Sequence, residues 1–101
     1  MTGVEFLQSA KVVSASKGFL LDDIIAMSTV TAGAKSTGDI ANALCAPAGS
    51  ASQRLTRLHR DGYLENERTG RSSLWALSPE GEDVLNDVLI GITKHYQKKQ
   101  N

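Results

Sequence analysis

Residues 49–64, GSASQRLTRLHRDGYL, constrain the fold more tightly than any other stretch of the chain. At roughly 100° per residue, Ala51, Leu55 and Leu58 fall within about 60° of one another and form a narrow apolar stripe that must meet a core. Gln53, Thr56, Arg57 and Arg60 point the other way. Asp61-Gly62 then breaks the period, glycine being the residue that most readily turns a chain out of a helix. The stretch therefore reads as a short helix, apolar on one side and basic and amide-bearing on the other.

Charge in the rest of the chain makes that placement informative. Eleven Lys+Arg against eleven Asp+Glu give a formal net charge of zero, which excludes a globally basic surface. All five arginines, Arg54, Arg57, Arg60, Arg68 and Arg71, nevertheless fall between positions 54 and 71, and the six lysines lie outside. Arginine suits planar contact with phosphates and base edges.

The flanking segments supply a context for this helix. "STGDIANALCA" offers Ser36 or Thr37 as a helix cap and Asp39 in the first turn, where a carboxylate suits the helix dipole, with Ile40, Ala41, Leu44 and Cys45 as its inner face. "APAGS" is a short break. Two helices joined by such a break, the second apolar inside and basic outside, form the pattern of a helix-turn-helix. "YLENER", "TGRSS" and "LWALS" then read as strand, tight connection and return strand, a hairpin with a basic tip.

The outer segments read as helices as well. Val4, Phe6, Leu7, Ala10, Val13 and Ala15 recur at helical spacing over 4–15, and Leu20, Leu21, Ile24, Ile25, Met27 and Val30 mark a second helix from Phe19 that ends at Thr31-Ala-Gly33. Pro79 after Ser78 opens a long final helix, whose Val84, Leu85, Val88, Leu89, Ile92 and Tyr96 span an arc of about 140°, with Ile90 outside it. One neighbouring element cannot cover so broad a face, so Leu85, Val88, Leu89, Ile92 and Tyr96 are expected at a two-fold dimer interface.

Taken together, residues 36–83 resemble the winged helix-turn-helix of the MarR-type bacterial regulators. "DIANAL" is similar to the second-helix pattern of that family, "SASQRLTRLHRDGYLENE" to its recognition helix and first wing strand, and "GRSSLWALSPEGEDVL" to its wing and final helix start. Leu55, Leu58, Gly62, Leu64, Gly70, Leu77, Pro79 and Gly81 fall in the register of the family. Small winged-helix accessory proteins of plasmids and phages are an equally good comparison. The resemblance implies an α+β, mainly α fold, with a three-helix core, a two-stranded hairpin wing, and N- and C-terminal helices for dimerisation. The chain, 1–101, is read as one domain, with the helix-turn-helix core and wing over 19–78 and flanking helices over 4–15 and 79–98.

The function implied is sequence-specific binding of double-stranded DNA by a homodimer at a palindromic or near-palindromic site, as a transcription regulator and most simply a repressor. The alternatives are a plasmid or phage protein of partition or replication control, or a protein-docking module. On the recognition helix Ser50, Ser52, Gln53, Arg54, Thr56, Arg57 and Arg60 are the expected DNA contacts. Ser50, Gln53 and Arg57 are assigned to base edges, and Arg54 and Arg60 lie nearer the phosphates. Arg68, Thr69, Arg71 and Ser72 are the wing contacts, Arg71 aimed at a minor groove, with Glu65 and Glu67 turned away.

Other chemistries find little support in the residues. No nucleophile motif or phosphate loop is present, and Asp22-Asp23 and Glu82-Asp83 diverge around their helices as solvated pairs, so no enzyme is expected. His59 and His95 have no metal-ligand spacing with Cys45 or each other, and neither cofactor nor metal is expected. Trp75 is assigned to the core or to hairpin packing, and Cys45 to the core. No membrane-length apolar run occurs, one cysteine cannot close an intramolecular disulfide, and no leader-like start is seen, so a cytoplasmic, nucleoid-associated protein of bacterial or archaeal type is expected. The sequence names no small-molecule effector.

Overall fold

A computed structural model of the chain describes residues 3–100, with the side chains of residues 99 and 100 set aside. The elements run α1 (Gly3–Ser16), α2 (Leu21–Thr29), β1 (Lys35–Ser36), α3 (Thr37–Leu44), α4 (Ala48–Arg60), β2 (Leu64–Thr69), β3 (Ser72–Leu77) and α5 (Pro79–Gln100). This is a mainly helical winged helix. Its sheet is antiparallel with order β1-β3-β2, so the expected two-stranded wing carries a third, two-residue strand. Lys35 pairs with Trp75 and Ser36 with Leu74. Two residues carry no alternation to read, and the strand exists because the inner edge of β3 is available to the chain on its way into α3.

Local chemistry sets the helix ends. Phe19 was expected inside the second helix, but α2 starts at Leu21, because the Asp23 side chain reaches back and accepts from the backbone N–H of Leu20 at 2.9 Å. Phe19 instead packs its ring edge-on against Tyr63, with centroids 5.2 Å apart. At α3, Ser36 accepts from the N–H of Asp39 as anticipated. The other end of α3 differs from the sequence reading. Cys45 adopts a left-handed conformation, φ 53°, while Ala46 N–H donates to Ala41 and Cys45 N–H to Asn42, which closes the helix and turns the thiol outward. Cys45 is thus exposed rather than part of the inner face.

The same closure recurs after α4, now with the glycine the conformation favours. Gly62, φ 91°, donates to His59 and Tyr63 donates to Leu58. This end of α4 is stitched to the start of α5. The Ser78 hydroxyl donates to the Gly62 carbonyl at 2.6 Å and accepts from Gly81 N–H at 3.0 Å. A Cβ on Gly81 would overlap the Tyr63 carbonyl oxygen, so only glycine fits there.

The core lies between these elements. Met27, Ile40, Leu55, Leu58 and Val88 are fully enclosed, and Trp75 is buried with its indole N–H donating to the Thr37 hydroxyl at 2.9 Å. Helices α1 and α5 pack closely, Gly91 leaving room for Val13. Phe6 meets Tyr96 edge-on at 5.6 Å, and the buried Ser9 hydroxyl lies 2.9 Å from His95 Nδ1. Among the described residues no helix is long and apolar enough to cross a membrane, the long α5 included.

Candidate nucleic-acid interface

Helix α4 rests on the core through Ala51, Leu55 and Leu58, all buried, and this seating decides what its other faces present. Ser50, Ser52, Gln53, Thr56 and Arg60 are exposed. An open cleft of about 430 Å³ runs along the helix, lined by Ser50, Gln53, Arg54 and Arg57. The residues Cys45 to Pro47 connect α3 to α4, a turn of helix-turn-helix length.

The hairpin continues this surface. Thr69 pairs with Ser72, which leaves Gly70 and Arg71 as a two-residue turn with Gly70 at φ 61°. Arg68, Thr69, Arg71 and Ser72 are all exposed. Leu64 and Trp75 fill the inner face of the hairpin, while Glu65 and Glu67 alternate to the other side of β2. His59 ties helix to hairpin. Its Nδ1 lies 2.8 Å from the Leu64 carbonyl, an oxygen that only accepts, so this nitrogen carries the proton, and the ring meets Trp75 edge-on at 6.1 Å.

The arginines are less free than the sequence reading assumes. Asp23 was expected to be solvated, yet it is only 3% exposed, in the first turn of α2. Its Oδ1 accepts from Arg54 Nη1 at 2.6 Å and also from Arg57 Nη2. Asp22 lies 3.8 Å from Arg54, and Arg60 lies 3.8 Å from Asp61. The Arg54 side chain, 21% exposed, therefore leans on α2, whereas Arg57 keeps 40% of its surface open beside Gln53. Asp22 stays exposed, as do Glu82 and Asp83. Asp23 and the arginines are 31 and 34 residues apart, a separation no local pattern reveals; the one sequence sign was an acidic residue at the third position of an apolar helix.

The face assigned to a dimer also changes. Leu85, Val88, Ile92 and Tyr96 are buried within the chain, and α1 lies along α5, with Phe6 against Tyr96 and Val13 against Gly91. Leu89, 43% exposed, and Ile90 remain open. Val4, Phe6, Leu7 and Val12 of α1 are likewise exposed, and an apolar groove of about 400 Å³ runs between α1, α2 and α5 past Leu7, Ile25 and Leu89.

No protein-family model matches the sequence. No curated protein matches it either. Solved structures do resemble it. YusO from Bacillus subtilis superposes with a TM-score of 0.84 at 13% identity, over 93% of this chain and 70% of that one. The apo form of MarR from E. coli superposes with a TM-score of 0.83 at 12% identity, over 91% and 71%. The fold is that of the MarR-type winged helix. A multiple antibiotic-resistance repressor of the same name from Listeria monocytogenes matches at a TM-score of 0.80 and 17% identity, over 92% of this chain and 67% of that one. These MarR-type chains are longer, and at such low identity the likeness lies in the backbone path.

Proposed function

We propose that the protein binds double-stranded DNA in a sequence-specific manner as a homodimer and regulates transcription, most simply as a repressor that occludes a promoter. The observation that carries this reading is the outer face of α4, where Ser50, Gln53, Arg54 and Arg57 line one cleft, Thr56 and Arg60 are exposed, and the following hairpin is tipped by Arg71. In a major groove, Gln53 suits adenine and Arg57 suits guanine, each through paired hydrogen bonds. Arg60 and Arg68 reach phosphates, which supply affinity and register. Arg71 enters the neighbouring minor groove, where narrow A·T-rich sequence attracts arginine.

The second copy covers the apolar surface that one chain leaves open. Val4, Leu7, Leu89 and Ile90 lie on the outer helices, away from the core that seats α4. A two-fold pair spaces its recognition helices by about one DNA turn, roughly 34 Å, and so requires a palindromic or near-palindromic site. Such a protein works in the cytoplasm, on the nucleoid when bound. Titration of duplex binding against salt tests the reading. Arg57→Ala is expected to cost about 1–3 kcal/mol on a preferred site and to relax preference at one base position. Equal loss on preferred and random duplex contradicts base reading by Arg57.

A further inference from the structure

We infer that Asp23 is a specificity-determining residue: its buried carboxylate withdraws the charge of Arg54 from non-specific phosphate binding and fixes the guanidinium of Arg57 for contact with a base. This rests on the DNA-binding reading proposed above and names a residue, distant from the α4 surface in sequence, that sets its selectivity.

The geometry has three parts. First, Asp23 is itself immobilised, because its Oδ2 accepts from Leu20 N–H at 2.9 Å and so belongs to the cap of α2. Second, Oδ1 takes both guanidinium groups, which stand three residues apart on one face of α4. Third, the carboxylate is almost wholly removed from water, so solvent does not compete for it and the attraction is screened little. Asp22 at 3.8 Å from Arg54 adds the second negative charge, and the four groups Asp22, Asp23, Arg54 and Arg57 sum to zero.

A neutral cluster on a recognition helix has a definite consequence for binding. Cations that neutralise phosphates bind every sequence alike, whereas a guanidinium held at one angle pairs with one base edge. Arg57 is bonded to Asp23 through Nη2, one of the two terminal nitrogens of a group with five N–H donors, and it remains 40% exposed. Arg54 is more enclosed and bonded on the same oxygen, so it braces rather than reads. Asp23 and Arg54 are therefore positioning residues, and Arg57 is the reader they hold.

Asp23→Asn tests this directly, because the amide oxygen still accepts from Leu20 N–H while the charge is gone. Binding is measured by fluorescence anisotropy on a random-sequence duplex and on a duplex selected from a random pool by the unmodified protein, each across a salt series. The variant is expected to bind random duplex about eightfold more tightly near 0.1 M salt, with a log–log salt slope steeper by about 0.9, as one arginine is freed for phosphate. Its preference for the selected duplex is expected to fall about tenfold. An unchanged random-duplex slope together with full preference overturns the role of Asp23. Arg54→Gln decides the matter independently, and alone should Asp23→Asn not fold: it leaves the random-duplex slope unchanged if its charge is already committed, and a slope shallower by about 0.9 shows instead that Arg54 meets phosphate. Failure of the unmodified protein to bind any duplex removes the DNA reading itself, whereas binding by the unmodified protein with indifferent variants removes only this inference.

Discussion

Helices α4 and α5 are both amphipathic, and they spend their apolar faces differently. The stripe of α4 is closed completely: Ala51, Leu55 and Leu58 have no open surface to speak of, and even Arg54 and Arg57 find a partner on α2. Helix α5 buries Leu85, Val88, Ile92 and Tyr96 but leaves Leu89 and Ile90 in the open, beside an α1 that exposes Val4, Phe6, Leu7 and Val12. The first half is finished within one chain, while the second presents apolar surface that a further copy would cover. On the proposed DNA-binding reading, α4 needs a fixed seat, because a misplaced side chain would lose its base edge, whereas the outer helix pair can leave its last contacts to assembly.

This contrast can be broken at several points. The largest effect is expected in the closed half, where Leu55→Ala empties a fully enclosed site and should cost about 3–4 kcal/mol in urea unfolding, equally at any protein concentration. A loss under about 1 kcal/mol would mean that α4 is not seated as described. Next comes the open half. Leu89→Glu should change the stability of the single chain by less than about 1 kcal/mol. It should nevertheless shift sedimentation from dimer to monomer and weaken binding to a two-half-site duplex about a hundredfold, through loss of the paired contacts. The unmodified protein sedimenting as a monomer at micromolar concentration, with full binding by the variant, would end the assembly argument. Ile92→Glu is a poorer probe, since Ile92 is buried and the variant would damage the fold. The smallest effect is expected at the wing: Arg71→Ala should reduce the salt slope by about one and flatten any A·T preference at the flanks, with circular dichroism unchanged. An unaltered footprint at the flanks would show that the hairpin tip stays out of the groove.

What could be read in advance divides along the same physical line. The seat of α4 was legible because a helix of this length repeats its period several times, and the Asp61-Gly62 closure because a left-handed position favours glycine. The hairpin followed from β-forming residues on either side of Gly70. Long-range placement was not legible. Cys45 looked like an inner-face residue until the chain turned left-handed at that position, and Lys35–Ser36 became a strand only because β3 lies beside it. Asp23 read as one of two adjacent solvated acids, since nothing local distinguishes a carboxylate about to meet two arginines more than thirty residues away. The broad apolar arc of α5 was seen correctly, but how much of it α1 covers depends on helix packing that periodicity does not encode.

The measurement that bears most directly on the central claim is selection of duplexes by the unmodified protein from a random-sequence pool, with the retained pool sequenced and its binding followed against salt. The reading of α4 and the wing as a DNA interface predicts an enriched inverted repeat with half-sites centred about 10 base pairs apart, bound with an affinity that falls steeply as salt rises. A pool that emerges without any enriched sequence, or no duplex retained even at low salt, would contradict it and favour a winged helix that docks on protein.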